Sequence, residues 1–257
     1  MNILVCIKQV PENETEFVIN AQKNWIEESE GISYRINRYD EYALEEALRI
    51  KEAFQNVKIS VLSIGPLRVE DALKRAISLG ADTGIHLICD QYTYLSAYDI
   101  ASYIAEYARS NSYDLIFTGV MAEDDMQCLV GSMTSAILDI PCAVSVTQTS
   151  LKPDENKIIV TCELDGGLSE TVVLTLPALL TIQSGINRPR YPSLSNIIRS
   201  RSQKILTIPV EEICKTNKRE DNINIKFPEI YSSCSIIKGS AEKKAEQLLI
   251  ILKKFLK

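Results

Sequence analysis

Residues 40–64 read DEYALEEALRIKEAFQNVKISVLSI, an amphipathic helix running directly into a short apolar strand. In the first half Ala43, Leu44, Ala47, Leu48 and Ile50 recur at the spacing of one helical face. Asp40, Glu41, Glu45 and Glu46 gather carboxylates near the helix start, where the macrodipole and solubility favour them first and a ribose contact only second. In the second half the run Val57 to Ile64 has the character of a strand covered on both faces.

Working outward, the same two textures alternate. Ile3 to Ile7, Ile85 to Cys89 and Leu115 to Thr118 repeat the buried-strand pattern, while Val69 to Leu79 and Ser96 to Arg109 repeat the helical one. The order βαβαβαβ predicts an α/β fold with a doubly wound, mainly parallel sheet whose ligand crevice lies at the carboxyl ends of its strands. After Pro141 the chain turns β-rich, at Ala143 to Thr149, Ile158 to Glu163 and Thr171 to Leu176, with Asp165-Gly166-Gly167 as a hairpin turn and Pro177 to Thr181 as another short apolar run. The proline-punctuated NRPRYPSLSN, residues 187–196, predicts an exposed loop leading into a short helix from Asn196 to Arg201. Lys215 to Phe227 reads as a charged linker, and Ala241 to Leu256 as an amphipathic terminal helix.

Composition narrows the function. With 257 residues, 46% of them hydrophobic and 24% charged, the chain has the make-up of an ordinary globular protein. A net charge of -6 argues against a nucleic-acid or anionic-membrane surface, which needs an excess of Lys and Arg. Seven cysteines without a CxxC pair give neither a zinc nor an iron–sulfur spacing, so no metal site is expected; most should be small buried hydrophobes in a reducing compartment. The apolar run before Lys8 is too short for a signal-peptide core, and no stretch approaches the ~18 residues of a membrane span, so the expectation is a cytoplasmic protein with no membrane insertion.

The chemistry-bearing candidates are few. The loop GVMAEDDMQCLVG, Gly119 to Gly131, follows a predicted strand and opens a predicted helix, where unpaired amides hold anions; equally, Asp124 or Asp125 there simply caps the helix. Ser63-Ile64-Gly65-Pro66 is a second strand-end loop, most simply a turn. His86 is the only histidine and sits in an apolar run, which excludes a hydrolase triad and favours a core role. Arg188, Arg190, Arg199 and Arg201 form a solvated face or, beside an exposed Leu194, frame a docking site.

VCIKQVP at the N-terminus, NRYDEYALEEALRIKE from Asn37, GADTGIH from Gly80, ELDGG from Glu163 and PRYPSLSNI from Pro189 occur in register, and together they resemble the beta subunit of electron transfer flavoproteins. The resemblance spans Met1 to about Lys204, with a weaker echo in the final helix. It implies a fold of the adenine-nucleotide-binding type, with residues 1–205 as the α/β domain, residues 142–182 as its β-rich part and 184–201 as a partner-recognition loop. Residues 206–257 then form a linker and a helical arm that clasps the partner. It also implies a heterodimer with an alpha subunit that holds most of a shared redox FAD, and an acyl-CoA dehydrogenase-type flavoprotein as electron partner. No catalytic residue is expected on this chain, because the flavin carries the chemistry.

A second nucleotide, AMP or another FAD, would lie among Cys6, Asn37, Arg38, Tyr39, Asp40, Ile64 and the loop Gly119, Val120, Met121, Ala122, Glu123, Asp124, Asp125, Met126, Gln127, Cys128, Leu129 and Val130. By the same carry-over Glu163 meets the mobile FAD domain, Leu194 is the apolar anchor, and Arg190, Tyr191 and Ile197 accompany it at the partner surface. Met126 to Leu129 depart from the small polar residues common in the family. No lysine or arginine lies in the loop, so Glu123, Asp124 and Asp125 would repel a phosphate and backbone amides around Gln127 to Gly131 must hold it. Two rival readings are an NADH- and ferredoxin-linked electron-bifurcating component with a second FAD, and a stand-alone adenine-nucleotide-binding regulatory module.

Overall fold

Alternating buried strands and amphipathic helices form in the order the hydrophobic pattern dictates. The chain runs β1 (Asn2–Cys6), β2 (Gln9–Pro11), β3 (Tyr34–Ile36), α1 (Arg38–Ala53), β4 (Lys58–Gly65), α2 (Glu70–Leu79), β5 (Thr83–Ile88), α3 (Ala97–Ser110), β6 (Leu115–Gly119) and α4 (Val130–Leu138). It continues through β7 (Cys142–Lys152), β8 (Lys157–Glu163), β9 (Ser169–Thr175), β10 (Ala178–Ile182), α5 (Leu194–Arg201), β11 (Leu206–Pro209), α6 (Val210–Ile213) and α7 (Ala241–Phe255). The computed structural model describes residues 1–12, 16–21, 26–27, 31–89, 94–214, 220, 223–229 and 234–255.

Nine strands make one sheet, in the order β11-β5-β4-β1-β6-β10-β7-β8-β9. From β11 to β7 every neighbouring pair is parallel, and β8 and β9 extend the edge antiparallel. The doubly wound, mainly parallel α/β sheet expected from the sequence is therefore the fold. From β1 the chain winds outward through β4 and β5, then returns to β6 on the other side of β1. Connections that diverge in this way leave a crevice at the carboxyl ends of β1 and β6.

Two hydrophobic layers enclose the sheet. Ile3, Val5, Val61 and Phe117 join Ala43, Leu44, Ala47, Leu73 and Ala76 of α1 and α2 on one face. Leu4, Leu62, Ile85 and Ile116 join Tyr103, Ile104 and Tyr107 of α3 on the other. Each such fully buried aliphatic side chain contributes about 1.5–3 kcal/mol. His86 belongs to the interior, with no exposed surface and with its Nε2 2.8 Å from the Gly65 carbonyl oxygen.

Three features add to the sequence reading or differ from it. The apolar run at Pro177 to Thr181 forms β10, and its place between β6 and β7 in mid-sheet is one that its local sequence does not specify. Leu206–Pro209, within the stretch expected to be linker, is β11 and pairs with β5 in parallel register. A four-residue strand as exposed as β11 carries too little apolar signal to be recognised before its partner is known. Of the seven cysteines only Cys6, Cys89 and Cys162 are buried, while Cys128 and Cys234 are exposed. Most of the linker expected at Lys215 to Phe227 lies outside the described residues.

The chain divides into two compact units, Met1–Asn224 and Ile225–Lys257. The first holds the sheet. In the second, α7 presents Leu248, Leu249, Ile250, Ile251, Leu252 and Phe255 exposed.

Candidate functional site

The crevice at the switch point is an open cleft, at the place where doubly wound sheets take their ligands. Its apolar wall comes from Leu62 and Ile64 of β4 and Ala97, Ile100 and Ile104 of α3. Lys8, Asn37 and the segment Gly119–Ala122 with Gln127–Gly131 supply the polar side. Alternation along β1 and β6 turns Cys6 and Thr118 toward α3 and α4, which is why both line it.

Two buried residues at the start of α1 fasten the strand ends that form the cleft. The Asp40 carboxylate accepts the amides of Lys8 at 2.7 Å and Gly119 at 2.9 Å. Asn37 donates from Nδ2 to the Met121 carbonyl at 2.8 Å and accepts the Glu123 amide at 3.1 Å. Burial raises the Asp40 carboxyl from its ordinary 3.8 to about 7, even though both amides oppose the shift. The same burial, reinforced by Asp40, pushes the Cys6 thiol up, so it is an unreactive wall residue.

The acidic loop is not left uncompensated, as its sequence suggested. Lys8 Nζ lies 2.7 Å from Asp124 and 3.0 Å from Asp125. Burial works to lower the Lys8 pKa, but these two carboxylates overrule it and the ammonium stays above its ordinary value. Arg35 pairs with Glu123 at 2.7 Å, and Arg38 approaches the same carboxylate at 3.7 Å. The cations come from the segment between β1 and β2, from β3 and from α1, distant in sequence, so a phosphate entering the cleft meets a neutralised loop.

Nor does either aspartate cap α4. Residue 129, at its N-terminal boundary, is Leu, with no side-chain cap, and Asp125 instead accepts the Gln127 amide at 3.1 Å. Met126 and Cys128 take left-handed backbone conformations, φ 54° and 57°, which coil the loop immediately before the helix. The amides of Cys128, Leu129, Val130, Gly131 and Ser132 have no acceptor among the described residues, and the Thr118 hydroxyl beside them is buried without a partner. Free amides at a helix start suit an anion. Gly131 permits this approach, since a Cβ there would come 2.6 Å from Thr181 and 2.7 Å from the Thr118 hydroxyl.

Of the expected nucleotide residues, the cleft brings together Cys6, Asn37, Asp40, Ile64, Gly119, Val120, Met121, Ala122, Asp125, Gln127, Cys128, Leu129 and Val130. Arg38, Tyr39, Glu123, Asp124 and Met126 stand outside its lining, and the first, third and fourth act through ion pairs. The sequence reading missed Ala97, Ile100 and Ile104, which look like an ordinary buried helix face until α3 is placed over the strand ends.

The other expected residues lie away from the cleft. Glu163 ends β8 and accepts Gln183 Nε2 at 3.1 Å. Tyr191 and Leu194 are 90% and 74% exposed, with Ile197 half-buried behind them on α5. Arg190 is not an open cation: its guanidinium is engaged by Glu45 and Glu52, whose hydrogen bonds raise its pKa further. Glu45 and Glu46 are likewise not solvated but buried against this loop.

Among the described residues no cluster of His, Cys, Asp or Glu is arranged to hold a metal ion. No described helix is long and apolar enough to cross a membrane.

Comparison with known proteins gives one consistent result. Residues 25–213 match the family model of the electron transfer flavoprotein domain. The electron transfer flavoprotein subunit beta of Methylophilus methylotrophus is 34% identical over 214 residues, covering 83% of this chain and 79% of that one. The mitochondrial subunit beta of Arabidopsis thaliana is 35% identical over 213 residues, 83% of each chain. The subunit beta of Thermoanaerobacterium thermosaccharolyticum is 34% identical over 220 residues, 86% of this chain and 82% of that one.

Proposed function

Since the chain belongs to the electron transfer flavoprotein beta-subunit family, we propose that it is the beta half of a heterodimer that carries electrons through an FAD held mainly by an alpha subunit. Its electron partner is an acyl-CoA dehydrogenase-type flavoprotein. The observation that carries this reading is the cleft, whose free amides at Cys128–Ser132 and apolar wall at Leu62, Ile64, Ile100 and Ile104 suit the phosphate and base of an adenine nucleotide. AMP is the nucleotide we assign there.

The chemistry itself is the flavin's: a bound FAD supplies a centre that accepts and gives up electrons. This chain's residues bind and orient. Asp40 and Asn37 hold the strand ends, Lys8 and Arg35 neutralise the acidic loop, and the exposed Tyr191 and Leu194 provide a small apolar docking patch. A carrier that must let go needs such a small patch rather than an extensive interface. Glu163, on an exposed strand end, meets the mobile FAD-bearing domain. The exposed apolar residues of α7 are covered by the alpha subunit. No disulfide joins the cysteines among the described residues, which suits a reducing compartment such as the cytoplasm.

The test is to purify the chain alone and co-expressed with an alpha subunit, release bound nucleotides with acid and identify them by mass. One FAD and one AMP per heterodimer, with no flavin on the isolated chain, is the expected result. Two FAD molecules per heterodimer would move the protein to the electron-bifurcating class. No adenine nucleotide at all would overturn the assignment of the cleft.

A further inference from the structure

The loop 183–193 joins β10 to α5 without helix or strand of its own, yet it delivers Tyr191 and Leu194 to the surface. What holds it is α1. The Arg190 backbone amide donates to Glu45 Oε2 at 3.1 Å, and Nε of the same residue donates to that oxygen at 2.9 Å. One carboxylate thus fixes both the main chain and the side chain of the residue just before Tyr191. Arg190 Nη2 reaches Glu45 Oε1 at 2.9 Å and Glu52 Oε2 at 3.2 Å. Three residues earlier, Asn187 Nδ2 donates to Glu46 Oε2 at 3.1 Å and to the Tyr42 carbonyl at 3.0 Å. Glu46 is itself steadied by Thr149 Oγ1 at 2.6 Å.

The side chains of Glu45 and Glu46 are only 8% and 6% exposed. Buried carboxylates are costly unless paired, so an acidic pair at this depth demands a specific reason. Stability is a poor one, because apolar residues of the same size would serve as well. Pre-organisation is a better one: a loop ordered in advance does not lose its freedom again when a partner docks.

We propose that Glu45, Glu46 and Glu52 of α1 form a latch that positions the docking loop through Arg190 and Asn187, making Arg190 a positioning residue rather than a partner contact. The proposal rests on the docking role given to the loop above. Releasing the latch leaves Tyr191 and Leu194 in place chemically but lets them wander, so association weakens while transfer within the bound complex does not.

The experiment uses the heterodimer with its alpha subunit, and purified medium-chain acyl-CoA dehydrogenase reduced by octanoyl-CoA as the electron donor. Arg190→Met should speed amide hydrogen exchange in residues 186–193 and raise KM for the dehydrogenase roughly tenfold, with the maximal rate and FAD content holding. Arg190→Lys, which keeps the charge but loses the planar fork, should recover part of the affinity. Asn187→Ala and Glu52→Gln cut the latch at its outer contacts and should give the same pattern, more weakly, if Arg190→Met fails to fold. Unchanged exchange in these variants overturns the latch, and so does faster exchange with an unchanged KM while Leu194→Ala raises it. If Leu194→Ala also leaves KM unchanged, or the wild type draws no electrons from the dehydrogenase, the docking role of the loop fails instead, and the latch is then judged on exchange alone.

Discussion

The Gly119 amide donates to Asp40 Oδ1 over 2.9 Å, and a Cβ on Gly119 would come within 2.5 Å of that same oxygen. The end of β6 and the first turn of α1 are therefore as close as a main chain without a side chain allows. Everything that shapes the cleft mouth depends on this approach, because the Lys8 amide closes on the other oxygen of the same carboxylate.

Gly119→Ala should accordingly destabilise the chain by about 1–3 kcal/mol, the usual cost of forcing a methyl group into a filled space. The added methyl would also meet Tyr39 Cβ at 2.6 Å, so relief on one side tightens the other. Urea unfolding measures the loss. A midpoint equal to that of the wild type would show that the strand end moves aside freely.

Asp40 also makes stability depend on pH. Its folded pKa, about 7, lies above the ordinary 3.8, so the folded chain binds this proton more tightly than the unfolded one. That contribution is complete below the unfolded value and is lost as pH rises through the folded one. Asp40→Asn carries no such proton, and its stability should fall less than that of the wild type as pH is raised from about 5 to about 8. Parallel decline in both proteins would remove Asp40 as the cause.

Lys8→Met should leave Asp124 and Asp125 uncompensated at the cleft mouth. Both pairs are about one-third exposed, so folding should lose no more than about 1 kcal/mol. Nucleotide affinity should drop more clearly, since two free carboxylates then face an incoming phosphate. Adding Asp124→Asn and Asp125→Asn to the same chain should restore it. Calorimetry with AMP tests both steps, and a triple variant as weak as Lys8→Met would point to Lys8 contacting the nucleotide directly.

The free amides before α4 predict a contrast between two neighbours. Cys128→Ala removes only an exposed thiol whose Sγ lies 3.7 Å from the Met126 carbonyl, and should keep the nucleotide. Leu129→Asp sets a carboxylate among the unpaired amides and should compete for the phosphate position. Equal AMP retention by both heterodimers would place the phosphate elsewhere.

Glu163→Ala should change how the FAD-bearing domain of the heterodimer is distributed between its positions, because a charge at a domain contact biases an equilibrium only through its differential interaction with the two states. Solution scattering reads that distribution. Superimposable profiles would remove Glu163 from the role.

Much of the fold was legible because burial writes itself as periodicity. Ile3, Val5 and Ile7 share one core with the helical face of Ala43, Leu44, Ala47 and Leu48, and each run signals its element locally. The loop from Gly119 was legible for a similar reason, since a strand followed by a helix puts unpaired amides at a predictable place.

The partners of the charged residues were not legible. Glu45 and Glu46 have the local pattern of a solvated helix start, and only the return of residues 187 and 190 across 141 and 145 positions turns them inward. The same holds for Lys8 and the aspartates at 124 and 125, and for β10, whose short apolar run does not say that it enters mid-sheet. By itself the sequence determined the doubly wound sheet, the place of the cleft and the family. The tertiary structure alone decided which charges are neutralised, which strands neighbour one another and which residues hold the loop 183–193. Hydrophobic periodicity is fixed within a few residues of chain, whereas an ion pair depends on two segments meeting, and that meeting is set by the whole fold.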